Sequence, residues 1–91
     1  MSGDELVRTC REILGRLDEL EALIRYVPKG EQQFIWRIQP EVKELLVIGR
    51  YEVGTRATPE QVQHVATIHR KVTSLHKNLP QDKLDALRRD D

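Results

Sequence analysis

From Leu6 to Val27 the chain places an apolar residue at every third or fourth position: Leu6, Cys10, Ile13, Leu17, Leu20, Ile24 and Val27. The steps alternate 4, 3, 4, 3, 4, 3. That rhythm keeps one face of an α-helix apolar for three heptads and does not fit a strand, whose faces repeat every second residue. Val7, Leu14 and Leu23 widen the stripe on both flanks, making it coiled-coil-like but broader than a two-stranded seam. A stripe this wide is expected to pack against two neighbours. Ser2 and Glu5 have the S-x-x-E spacing of a capping box, and Val27-Pro28-Lys29-Gly30 supplies a stop, so a helix over about 3–27 is expected. Gly15 lies inside it and costs about 1 kcal/mol relative to Ala.

The middle segment carries a similar rhythm. Ile35, Ile38, Val42, Leu45 and Gly49 alternate 3, 4, 3, 4, with Phe34 and Leu46 alongside. Pro40 interrupts it, removing one hydrogen bond and crowding the preceding turn at a cost of about 3 kcal/mol. Either a short helix ends near residues 37–40 and Pro40 opens another, or one helix bends there. The stripe keeps phase across Pro40, which favours one kinked helix over about 31–53. The run Leu45-Leu46-Val47-Ile48 also suits a strand, but the chain offers no second run to pair with it.

Residues 54–58 read as a loop. Thr58-Pro59-Glu60-Gln61 is a helix start, with Thr as cap, Pro in the first turn and Gln closing the box. Val65, Ile68, Val72, Leu75 and Leu79 then mark a third helix over about 59–79. A short helix over about 81–89 has Leu84 and Leu87 to bury. The fold class expected is all-α: one domain over 1–91, an up-down-up three-helix bundle with a short C-terminal helical extension.

Charge narrows the functional classes. The 91 residues include 15 Lys and Arg and 15 Asp and Glu, so the formal net charge is zero. Such a chain has no general attraction for nucleic acid or anionic membrane, and little self-repulsion to oppose association. Residues 1–27 carry six acids against four bases, whereas 55–80 carry Arg56, Arg70, Lys71 and Lys77 against Glu60. The first and third helices are therefore expected to attract each other, within one chain or between two. The lone Cys10 forms no internal disulfide, and no 18-residue apolar run or signal-peptide core is present, so a cytoplasmic protein is expected.

No catalytic or cofactor motif stands out. His64, His69 and His76 are spaced five and seven apart, whereas two ligands on one helix need a separation of three or four, so no metal is expected. His69 and His76 border the core stripe, the position of a pH-sensitive contact between helices. Cys10 sits in a core position, where burial makes a thiol inert. A small helical enzyme acting on a dicarboxylate needs several converging cations, and only Arg16 and Arg25 border the first stripe.

The middle helix has a second apolar set. With Trp36 at 0° and about 100° per residue, the core set falls between roughly 160° and 280°. Trp36, Pro40, Val47 and Tyr51 fall between roughly 0° and 60°, on the opposite face. Trp and Tyr are enriched at interface hot spots, and Arg37, Lys43, Glu44 and Arg50 would form a polar rim. The competing reading puts Trp36 in the core through the kink, or covers it with the Leu84 and Leu87 tail. The leading expectation is a non-catalytic protein-interaction module, self-associating or docking a protein partner through Trp36, Val47, Tyr51, Arg37, Lys43 and Arg50. The alternative is DNA binding through the outer face of the third helix: Gln63, Thr67, Arg70, Ser74 and Lys77. Only two bases point that way, and no helix-turn-helix precedes them.

Overall fold

The computed structural model describes residues 3–51 and 58–89, with side chains for 4–47 and 58–89. Ser2 of the expected N-terminal box, the loop at 54–57 and the side chains of Arg50 and Tyr51 lie outside the described residues. Four α-helices and one short 3-10 turn account for nearly all the rest: α1 Gly3–Ala22, the turn Ile24–Tyr26, α2 Lys29–Tyr51, α3 Pro59–Lys77 and α4 Gln81–Arg89. No strand occurs among the described residues, and the helices gather into a compact helical bundle.

α1 buries Leu6, Cys10, Ile13, Leu17 and Leu20 almost completely. The α-helix stops earlier than its apolar rhythm suggests. Leu23 still donates to the Glu19 carbonyl, but Tyr26 donates to Leu23 and Val27 to Ile24, each a three-residue step. The tighter turn swings Val27 into the core just before Pro28, which cannot donate a backbone hydrogen bond. Gln32 then reaches back from α2, its Nε2 donating to the carbonyls of Ile24 and Val27 at 3.1 and 3.0 Å. That side chain gives the Val27 carbonyl a donor and adds a second to the Ile24 carbonyl, which already accepts from the Val27 amide.

α2 begins at Lys29, two residues ahead of the sequence expectation, and takes Gly30 into its first turn. The backbone is continuous through Pro40 to Tyr51, so the broken-helix and strand alternatives both fall. Ile35, Ile38 and Val42 are buried, with Phe34, Leu45 and Leu46 packed at the margin. α3 opens with the full capping box. The Gln61 amide donates to Thr58 Oγ1 at 3.2 Å, and the Thr58 amide donates to Gln61 Oε1 at 3.0 Å. Its last helical residue is Lys77, with Asn78 as cap. Leu79 beyond the cap and Leu84 of α4 are both buried, so the C-terminal segment is docked rather than frayed.

The three long helices are not packed equally. α1 lies against both α2 and α3, while α2 and α3 touch each other only sparsely. The wide stripe on α1 therefore does face two neighbours.

Candidate functional site

Two polar seams and one apolar face stand out once the core is set aside. The first seam joins α1 to α3 and α4. Arg16 Nη1 donates to Thr73 Oγ1 at 2.9 Å and lies 3.1 Å from His69 Nε2, while its Nη2 pairs with Glu12 at 2.8 Å. Glu12 also lies 3.4 Å from His69. One heptad on, Glu19 takes His76 Nε2 at 2.8 Å and both Nε and Nη2 of Arg88, at 2.9 and 3.1 Å. The Arg88 hydrogen bonds chiefly, with His76 adding to them, hold the Glu19 carboxyl below its ordinary pKa against an opposing burial penalty. The same contact raises the Arg88 pKa.

Within the chain, α1 and α3 thus meet through histidines rather than through the Lys and Arg residues that made residues 55–80 basic. Arg70 and Lys77 have no ion-pair partner among the described residues, and Lys71 turns instead to Glu31 of α2 at 3.1 Å. The sequence carried a trace of this seam. Glu12, Arg16 and Glu19 are spaced 4, 3, and so are His69, Thr73 and His76. Both triplets edge an apolar stripe.

The second seam spans the gap where α2 and α3 diverge, and no sequence pattern announces it. A cleft of about 410 Å³ opens there over Ile38 and Ile68, walled by Phe34, Arg37, Glu41, His64, Thr67 and Lys71. Glu41 and Lys71 each have a facing partner, whereas Arg37 has no ion-pair partner among the described residues. His64 faces Glu41 at 3.6 Å, and the Lys71 ammonium sits 4.2 Å from the Phe34 ring centre besides pairing with Glu31. No group of three or more His, Cys, Asp or Glu side chains that could hold a metal ion occurs among the described residues. Burial raises the Cys10 thiol pKa.

The apolar face is on α2. Trp36 and Val47 are each 51% exposed, while Ile35, Ile38 and Val42 on the other side of the helix are sealed. The alternatives that would bury Trp36, by a kink or beneath α4, are excluded. Leu84 of α4 enters the core and Arg88 binds Glu19 of α1. Arg37 and Lys43 are exposed beside this face, as is Glu44. Arg37 also lies 5.9 Å from the Phe34 ring centre. Tyr51 and Arg50 belong to the same face by helical position, though their side chains are outside the described residues.

On α3, Gln63, Thr67, Arg70, Ser74 and Lys77 are all exposed. The Thr67 hydroxyl donates to the Gln63 carbonyl at 2.9 Å, the back-bond of a solvent-facing helix residue.

The fold and these surfaces define a small helical-bundle protein. No protein family, no curated protein and no solved structure matches the chain. No helix among the described residues is long and apolar enough to cross a membrane.

Proposed function

We propose that this chain is a non-catalytic protein-interaction module that docks through the outer face of α2, with self-association as its leading mode. One observation carries the reading: Trp36 and Val47 stand half in solvent on the face of α2 opposite its buried stripe. A large aromatic on an otherwise charged surface is the residue type most enriched among binding hot spots. Burying it together with Val47, three turns further along the same face, inside a rim of Arg37, Lys43 and Glu44, fits the apolar-centre, polar-rim anatomy of an interface.

The reading takes the bundle as up-down-up, with α2 bent at Pro40. Residue pairings support that topology. Glu12 meets His69 and Glu19 meets His76, each 57 positions apart, as two helices running the same way would pair. Glu31 meets Lys71 while Glu41 meets His64, the reversed order of helices running oppositely. Pro40 lies on the solvent side of α2, where a proline bend lets a helix curve around the core. A reducing cytoplasmic setting, in which Cys10 stays a thiol, goes with the same reading.

The test is sedimentation equilibrium of wild type and Trp36→Ala, with Trp fluorescence followed over the same concentrations. Association of wild type that buries Trp36 and is lost in the variant is the expected result. A wild type that stays monomeric at several hundred micromolar, with Trp36 emission unchanged on adding a cell extract, would overturn it.

A further inference from the structure

We infer that α4 is a strap that opens from the bundle on its own while α1, α2 and α3 stay packed, and that Glu19 is the clasp that closes it. Among the described residues α1 seals five apolar side chains, α2 and α3 three each, and α4 only Leu84. Leu87, one turn on, is partly buried. α4 meets the long helices only sparsely. It has nine residues, and an isolated helix shorter than about 12–15 residues is marginal in water. α4 is therefore helical because it is docked, and it undocks and unwinds together. A segment held by so few buried contacts opens far more readily than the fold as a whole.

The junction before α4 supplies a pivot. Leu79 is buried and its amide donates to the His76 carbonyl at 3.1 Å, so it belongs to the end of α3. One residue on, the Pro80 carbonyl accepts from the amides of Lys83 and Leu84, both at 3.1 Å, which starts α4. Pro80 has no N–H of its own to give. Among the described residues no backbone hydrogen bond crosses from Leu79 and its predecessors to Pro80 and its successors. α4 can thus swing at this point without costing α3 a backbone hydrogen bond. The side-chain hydrogen bonds from α4 to another helix converge on Glu19: Arg88 Nε donates to Oε2 at 2.9 Å and Nη2 to Oε1 at 3.1 Å. His76 of α3 holds the same Oε1 at 2.8 Å, so the carboxylate keeps a partner when α4 leaves. Glu19 is the fixed half of the clasp, and Arg88, its side chain 54% exposed, is the half that moves.

Amide hydrogen exchange of the full chain, read residue by residue by NMR, tests both parts. In wild type, protection of Leu84 to Arg88 is expected to lie at least about 100-fold below that of Leu17, Ile38 and Val72. Arg88→Gln is expected to lower protection in α4 about threefold, the effect of one exposed ion pair, whereas Arg89→Gln at the exposed neighbouring position leaves it unchanged. Leu84→Ala is expected to bring α4 to within about threefold of an unfolded chain while the three core amides stay protected more than about 100-fold. Amides of α4 as protected as the core in wild type overturn the inference, and so does a Leu84→Ala chain whose core loses its protection along with α4. Arg88→Gln behaving like Arg89→Gln overturns the assignment of Glu19 as the clasp.

Discussion

Pro40 is the twelfth of the 23 residues of α2 and sits in solvent on the side away from the core. Having no N–H, it leaves the Trp36 carbonyl without its helical donor, and its ring crowds that same carbonyl. Replacing it with Ala restores the hydrogen bond and removes the crowding, and a Pro-to-Ala change in a helix interior is worth about 3 kcal/mol in isolated helices. The full gain is not expected here. Ile35 and Ile38 precede Pro40 and Val42 follows it, and all three are sealed against the core. Any change in the helix path on removing the ring moves one set relative to the other, and a gap of methyl size costs about 1 kcal/mol. Pro40→Ala should therefore stabilise by about 1–2 kcal/mol, raising the melting temperature by roughly 5–15 °C in a domain of this size. Urea unfolding followed by far-UV circular dichroism, with the slope checked for constancy, measures it. A variant less stable than wild type would refute the reasoning. It would mean the core requires the geometry that Pro40 imposes, and that the lost hydrogen bond is the lesser effect.

Other expectations follow from individual side chains. A Cβ added at the exposed Gly15 meets nothing within 4 Å, so Gly15→Ala should stabilise by about 0.5–1 kcal/mol, read as a higher urea midpoint. Because the folded-state pKa of Glu19 is lowered, its contribution to stability is complete above the ordinary carboxylate range and is lost as pH falls through the depressed value. Glu19→Gln should thus lower stability at neutral pH and flatten the acid side of a stability-against-pH curve; an unchanged acid limb would count against the Arg88 and His76 contacts. Cys10 is sealed and its pKa raised, so a maleimide should label it at least about 100-fold more slowly in the native protein than in urea. Labelling at the free-thiol rate would show that α1 opens locally.

Much of this architecture is written in apolar spacing, and the departures from it have specific causes. The start of α3 was legible because Thr58, Pro59 and Gln61 each act locally, through a cap, a fixed φ and a returned side chain. The end of α1 was not. Ile24 and Val27 keep the phase of the stripe, and over a single turn the roughly 100° step of an α-helix and the 120° step of a 3-10 turn place side chains almost alike. The start of α2 is not legible, because Pro28 and Gly30 have the character of helix breakers. Yet first-turn amide groups have no intrahelical acceptor, so those residues cost little there. The exposed Trp36 and Val47 face was visible from helical phase alone. The polar seam from Glu12, Arg16 and Glu19 to His69, Thr73 and His76 was not, since it depends on the register between helices 57 residues apart. Nor was the α2/α3 cleft, because periodicity records which way a side chain points and not how far two helices splay.

The unequal packing around α1 also bears on how the chain reaches this structure. α1 and α2 are consecutive and share the largest interface, whereas α3 must return across the whole of α2 to find its place on α1 and gains little from α2 on arrival. Short loop closure costs less entropy than long. The α1–α2 hairpin is therefore expected to form first, with α3 added to it afterwards. Trimming Ile35 should slow folding, while trimming Val72 should mainly hasten unfolding. α3 is then the element whose detachment exposes α1 first, and the histidine contacts to Glu12 and Glu19 are part of what holds it closed.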